Sequence, residues 1–591
     1  MKSKDLRSEA TLMSRSDLAR WCGLPERHPL VGLFHRFGGV RKANDTLGAL
    51  SHLKGEAFLD AVFAHLGVRL EADAPSLDRI PESGPFILVS NHPFGVLDGL
   101  ALLREVRRRR PDFKVGVEGL LGDMPPLTDA LIALTETGQD RRKRSLSGWR
   151  EAAQHLQGGG GLGVFPAGRV SGYRPSDRVV MDGRWNATVI GWVAKQACPV
   201  IPVYIDGANS PLFQWLGLIH PSLRSLRVAA EMHNKKGRIL QMRFGRILRP
   251  RDLAGFEGHD HLARFLRARS YALGTAFDVR REHFRWFRFP KRAEPIARDI
   301  DTAMLAKEMA GLTDTKLFDH GEFEVHLAPA DQIPHLLREI GRLREVTFRA
   351  VGEGTNRALD LDEYDLYYRH LLLWDKSAQR LAGAYRVGLG WEIMDSYGSR
   401  GFYTRSLFRM KPGFDPVLRS GVELGRSFIV PDYQRQRMPL FLLWKGILSV
   451  LVRSPEARYV LGPVTVSSDY SRYSRALIMA FIRRHYWDAE HAAHIRPRKR
   501  FAFEEKRADT DALLEAAGGD VKRLDRILAD IEPSQAAAPV LLKKYLHQNA
   551  RILGFNRDPK FNNALDGLMI LDVQDLPVDT VQNLQREFDL G

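Results

Sequence analysis

Apolar and polar positions alternate along this chain in two recurring rhythms. Residues 56–70 place apolar side chains at three-to-four spacing, which predicts a helix, and the region 1–75 reads as helical. From about 80 to 250 short β-like runs, 86–89, 162–165 and 200–205, are separated by longer helical stretches. That alternation predicts an α/β layer with a largely parallel sheet. Residues 258–290 read as helical, basic and aromatic, and residues 290–325 as a linker with one short helix. A second α/β pattern follows, with strand-like runs at 323–328, 380–389 and 426–430 and helices over 334–350 and 438–452. The resulting division is a helical segment 1–75, an α/β domain 76–290, a linker 291–320 and a second α/β domain 321–591.

The chain has 591 residues, 44% hydrophobic and 27% charged, enough for two real cores. It carries 88 Lys and Arg against 71 Asp and Glu, a net charge of +17. Such a surplus points to an acidic partner: nucleic acid, an anionic membrane surface or an acidic carrier protein. Two cysteines make neither a disulfide framework nor a zinc cluster and fit a reducing compartment. The N-terminal residues show no secretory signal. The longest charge-free stretch, Gly207 to Leu223, contains Asn, Gln, His and two prolines and is too short and polar to span a bilayer. A protein of this composition acting on lipid is expected in the cytoplasm, peripheral on the inner face of the membrane.

The chemistry concentrates at Asn91-His92-Pro93-Phe94-Gly95-Val96-Leu97-Asp98, directly after the run 86–89. This is the C-terminal end of a strand, where open α/β sheets place their sites. A carboxylate on one ring nitrogen fixes the histidine tautomer, leaving the other to take a proton from a hydroxyl. A lone His/Asp pair at this spacing is usually structural. Here further motifs follow: Gly138-Gln139-Asp140-Arg141, then Phe165-Pro166-Ala167-Gly168-Arg169-Val170-Ser171, then Val200-Ile201-Pro202-Val203. In order and content they resemble the glycerolipid (lysophospholipid) acyltransferase superfamily. The family has four residues between His and Asp where five stand here, and Glu where Ala167 stands. The resemblance implies a His92/Asp98 dyad, with Asn91, Gly95, Arg141, Phe165, Pro166, Gly168, Arg169 and Ser171 around the substrate.

In the second half, the segments 342–349, 360–365, 371–375, 383–387 and 422–427 resemble the acyl-carrier-protein-dependent branch of the GNAT N-acyltransferases. That resemblance implies a mixed sheet splayed at its centre. Glu423 becomes the candidate base. Asp362 and Asp365 become candidates for holding a cationic amine, with Arg386 and Arg426 in the substrate site. Where a coenzyme A-binding GNAT has a glycine-rich loop, this chain has Gln434-Arg435-Gln436-Arg437-Met438-Pro439, which suits an acidic carrier protein.

Over nearly its whole length the chain resembles the bifunctional ornithine lipid synthases. The resemblance implies N-acylation of ornithine with a 3-hydroxyacyl group from acyl carrier protein, a phosphopantetheine thioester, with no bound cofactor. O-acylation of the 3-hydroxyl follows. Glycine, lysine or glutamine as head group remains open, as does a single lysophospholipid acyltransferase activity beside a non-catalytic GNAT-like domain. Three segments admit a surface role: Arg280 to Arg292 on an anionic bilayer, and the runs Arg107–Arg110 and Arg141–Arg144 against a carrier protein. The first reads equally as a solvated basic face, and a run of four like charges is usually one. No nucleic-acid motif accompanies the charge, and His485, His491 and His494 lack companions at metal-ligand spacing.

Overall fold

A computed structural model describes residues 19, 25–29, 31–32, 39–118, 124–135, 141–219, 224, 227–285, 293–351, 353–503, 505–532, 537–559 and 561–582. The chain divides into two compact units. The first comprises Met1–Glu282 with Glu505–Gly518 and Asp525–Gln535; the second comprises His283–Glu504, Gly519–Leu524 and Ala536–Gly591. Two stretches of the region 321–591 therefore group with the first unit.

Nine described strands build the first unit: β1 (Arg69–Ala72), β2 (Phe86–Ser90), β3 (Lys114–Glu118), β4 (Leu131–Thr135), β5 (Gly161–Val164), β6 (Gly172–Arg174), β7 (Val179–Met181), β8 (Val200–Ile205) and β9 (Ile239–Phe244). Seven form one sheet in the order β1-β9-β8-β2-β5-β3-β4, while β6 and β7 form a separate hairpin. Every pairing in the sheet is parallel except β8 with β9. All residues of β2, β5 and β8 are buried. Their uninterrupted apolar runs fit strands covered on both faces. The helix Val96–Arg107 follows β2 and buries Leu97, Leu100, Ala101, Leu103 and Val106.

The arginine run 107–110 has partners within this unit. Arg107, Arg108 and Arg109 pair with Asp129, Asp60 and Asp78. Arg110 is buried, chelates Asp112 and donates to the carbonyls of Pro81, Gly84 and Gly159. It holds a loop together, whereas Arg108 and Arg109 stand half-exposed in surface ion pairs.

The second unit contains β10 (Lys316–His320), β11 (Phe323–Pro329), β12 (Arg369–Asp375), β13 (Arg380–Leu389), β14 (Phe408–Met410), β15 (Gly421–Ile429), β16 (Tyr459–Val466), β17 (Ile495–Pro497), β18 (Arg551–Asp558) and β19 (Ala564–Asp572). Eight of these form a mixed sheet, β10-β11-β12-β13-β15-β16-β19-β18. β10 falls inside the segment expected to be linker, and β15 begins five residues before the predicted run 426–430. The strands β15 and β16 are parallel and pair only from Gly421–Glu423 to Tyr459–Leu461. Beyond that point each continues without the other. The helices Pro334–Ala350 and Met438–Arg453 match their predicted spans closely.

Candidate functional sites

In the first unit three strand ends converge. The backbone carries His92 past the end of β2. Asn91 then ties this turn to β8: its amide donates to Ile205 O at 2.8 Å and its carbonyl accepts from Ile205 N at 2.7 Å. Asn91 is thus a buried anchor for the histidine, its side chain spent on the backbone of β8. Gly95 adopts φ +85°, and a Cβ there would lie 2.9 Å from Val228 Cγ1. Only glycine fits both constraints.

His92 Nδ1 stands 2.9 Å from Asp98 Oδ2, with the His92 side chain 19% exposed and Asp98 fully buried. The same carboxylate oxygen accepts the backbone N–H groups of Phe94 and Gly95 at 2.9 Å each. Burial raises the Asp98 pKa, opposed by His92 and the two amides. The ring of Phe165 lies 4.3 Å from the His92 ring, centroid to centroid. With Nδ1 toward the carboxylate, Nε2 remains for a substrate hydroxyl.

The loop after β5 is joined to the dyad by a residue that motif reading missed. Ser171 N donates to His92 O at 2.8 Å. Asp182, buried in β7's following turn, accepts from Ser171 Oγ, the His92 backbone N–H and Trp185 Nε1. Pro166 is buried and accepts at its carbonyl from Asn186 N. Gly168, at φ +60° with open space where a Cβ would stand, and Arg169 are exposed at the tip. Arg141 begins the helix Arg141–Gln157, but its side chain lies outside the described residues, as do Gly138 to Asp140.

The second unit gathers the other expected residues, in different roles. Glu423 is 1% exposed. One oxygen accepts from Thr404 N at 2.9 Å, the other from Tyr403 N at 3.0 Å and from the Tyr368 hydroxyl. It secures the turn at 403–404 and does not face an open site, a correction to its assignment as base. Asp365 accepts from Arg344 Nη1 at 2.7 Å and lies 3.4 Å from Arg386. Although burial pushes its carboxyl up, the two guanidinium groups hold it well below the usual range. Asp362 accepts from Arg386 at 2.5 Å and lies 3.6 Å from Arg426. These carboxylates are already neutralised by arginines, so they fix Arg386 and Arg426 and are not free to hold an amine. Arg426 sits at φ +51° where the β13–β15 ladder is irregular, 3.3 Å from Asp360.

A different carboxylate was not singled out by motif. Asp566 on β19 is buried opposite Thr465 of β16, whose hydroxyl donates to it at 2.8 Å. Burial pushes its pKa up to about 7, with nearby Asp558 and Glu353 adding to the shift. Arg435 and Arg437 are exposed just ahead of the helix Met438–Arg453. His491 is engaged by Asp488 at 2.7 Å.

The chain matches two family models: Acyltransferase over residues 35–280 and Acetyltransferase (GNAT) domain over residues 343–444. Both halves are therefore acyltransferase domains, of two different α/β types. Among individual proteins, the chain is similar to the glycine N(alpha)-acyltransferase of Bacteroides thetaiotaomicron, 32% identical over 33% of this chain and 62% of that protein. The enzyme of the same name from Phocaeicola vulgatus is 33% identical over 33% of this chain and 64% of its own length. This chain thus spans less than two thirds of either. A lyso-glycine lipid O-acyltransferase of B. thetaiotaomicron is 29% identical over 32% of this chain and 70% of that protein.

Proposed function

We propose that this protein builds an aminolipid by two acyl transfers. The GNAT domain N-acylates an amino acid with a 3-hydroxyacyl group, and the N-terminal domain then esterifies the 3-hydroxyl. The observation that carries the reading is the 2.9 Å approach of His92 to buried Asp98 beneath Phe165. In the second transfer His92 takes the hydroxyl proton as the oxygen attacks a thioester carbonyl. The C–O bond forms, the C–S bond breaks, and the proton returns to the leaving thiolate. The pairing of the two domains in one chain parallels the names of the relatives, one N-acylating and one O-acylating. A product of the first reaction meets a tethered second domain at raised effective concentration.

Ornithine is the proposed head group and acyl carrier protein the proposed donor. The exposed Arg435 and Arg437, at the N-terminus of a 16-residue helix, suit an acidic donor. Asp566, with Asp558 and Glu353 nearby, suits an amino acid bearing a second cation. Glycine is the second reading, favoured by the names of the relatives. Lipid mass spectrometry of a host without aminolipids, with and without this gene, tests both. A new diacylated ornithine or glycine lipid decides the head group, and no new lipid with a 3-hydroxyacyl donor present removes the reading.

A further inference from the structure

The charge-free stretch of the sequence folds into a helix, Pro211–Ile219, with no charged residue on any side. Such a helix is normally buried or in contact with lipid. This one is only half covered. Phe213 and Gln214 are buried, whereas Leu212, Trp215, Leu218 and Ile219 are 46%, 57%, 53% and 56% exposed. At 100° per residue these four fall within one third of the helix circumference, so the solvent-facing side is the apolar one. An exposed patch of this kind marks an interaction surface.

The helix is also firmly seated near the dyad. Ser210, just before it, donates its hydroxyl and its N–H to Glu231 at 2.6 and 2.9 Å. Burial would raise Glu231, but donors from Ser210, Asn234 and Lys235 hold it down at about 2. Gln214 accepts from Tyr173 N at 2.9 Å, two residues after the serine bonded to His92. Beside the helix runs Arg224: a Cβ on Gly217 would lie 2.8 Å from its Cδ, and one on Gly172 2.2 Å from its Nη1. Glycines at both places leave a slot for this side chain. Burial and the charge of Arg169 both lower its pKa. Arg169 and Arg224 make no ion pair with any described carboxylate.

We infer that the helix Pro211–Ile219, with Arg169 and Arg224 beside it, is the face by which the first unit rests on an anionic lipid bilayer. The inference deepens the proposed function and rests on a lipid acceptor. The Trp and Leu side chains enter the interfacial region and the arginines meet lipid phosphates. No described helix is long and apolar enough to cross a membrane, and this nine-residue one lies on the surface. The seating next to Tyr173 brings a membrane-bound hydroxyl to His92 without lifting the lipid into water.

The test is flotation of the full-length protein with vesicles of mixed phosphatidylglycerol and phosphatidylcholine, and with phosphatidylcholine alone. The double variant Trp215→Ala/Leu218→Ser is expected to lose about tenfold or more in partition onto either vesicle, with its melting temperature unchanged. Leu212→Gln supplies a second, single change on the same face. Arg169→Gln/Arg224→Gln is expected to remove the preference for phosphatidylglycerol. Unchanged partition of the apolar variants overturns the inference, as does a native protein that floats with neither vesicle. So does a native oligomer that the apolar variants break apart, since the face is then a contact between copies. Esterification of a lyso-aminolipid is read separately on the native protein. Flotation without esterification keeps the membrane face and removes the proposed acceptor.

Discussion

Ser171 donates its hydroxyl to Asp182 Oδ1 at 2.6 Å, and the same oxygen accepts the backbone N–H of His92 at 3.2 Å. One buried carboxylate thereby sets the distance between the loop after β5 and the dyad. Asp182→Asn replaces an acceptor-only group by one that must turn a donor toward other donors. The expected cost is about 1–3 kcal/mol of stability, with O-acyl transfer falling at least about tenfold. Thermal melting and single-substrate kinetics of the O-acyl step check the two effects separately.

His92→Ala removes the proposed proton acceptor and leaves buried Asp98 without its imidazole partner. O-acylation should fall by about 10²–10⁴-fold while amide formation continues, so the mono-acylated lipid accumulates. Its detection by mass spectrometry decides the point: a full yield of diacyl lipid excludes His92 from the chemistry.

Gly95→Ala places a Cβ 2.9 Å from Val228 Cγ1 at a backbone φ of +85°. The strain should cost about 1–3 kcal/mol and displace the amide that Asp98 accepts. Denaturant unfolding reads the cost. A variant as stable as the native protein shows that the turn has room the structure does not show.

Glu423→Ala deprives two backbone N–H groups of their acceptor, each at about 1–3 kcal/mol. Loss of N-acylation should track loss of folded protein, with the pH profile of the surviving activity unchanged. A fully folded variant with no N-acylation returns Glu423 to the role of base.

Asp566 carries a folded-state pKa of about 7, above its ordinary value of 3.8. A raised folded value means the protonated form is favoured by folding. Its contribution to stability is therefore full below pH 3.8 and lost as pH rises through 7. Holding an ammonium requires the ionised form, so N-acylation of a diamino acid should rise through the same interval. Asp566→Asn should flatten both limbs, which pH-dependent melting and initial rates will follow. A native rate that is flat across neutrality removes Asp566 from amine binding.

The parts of this molecule legible in sequence are those built from neighbours. His92, Phe94, Gly95 and Asp98 lie within one turn, so their spacing already implies a carboxylate capping a helix and meeting the imidazole. The strands 86–89 and 200–205 are legible because burial on both faces leaves unbroken apolar runs. Asp182 was invisible because its contacts bridge 90 positions to His92. Glu423 was misread because its family position says nothing of Tyr403 and Thr404, whose amides consume both oxygens. Asp362 and Asp365 were misread for a similar reason: Arg344, Arg386 and Arg426 approach from other elements. Asp566 stands in an apolar strand where only the register with Thr465 reveals its buried partner. Of the basic-aromatic segment Arg280 to Arg292, residues 280–285 close the helix His259–Arg285, and their side chains and all of 286–292 lie outside the described residues.

Asp530 receives Arg269, meets Arg79 at 3.2 Å and accepts Arg246 N at 3.0 Å, while the carbonyls of Ile531 and Glu532 take Arg243. All these arginines belong to the N-terminal acyltransferase domain, and all these acceptors are synthesised between 261 and 451 residues later. On the ribosome that domain must wait, incomplete, until the GNAT sheet has largely emerged. A gene cut after residue 290 would strand Arg79 and Arg269 in a low-dielectric interior without their counter-charge. The two activities are thus interleaved in the order of translation, and natural shuffling that separates them has to replace this clasp as well.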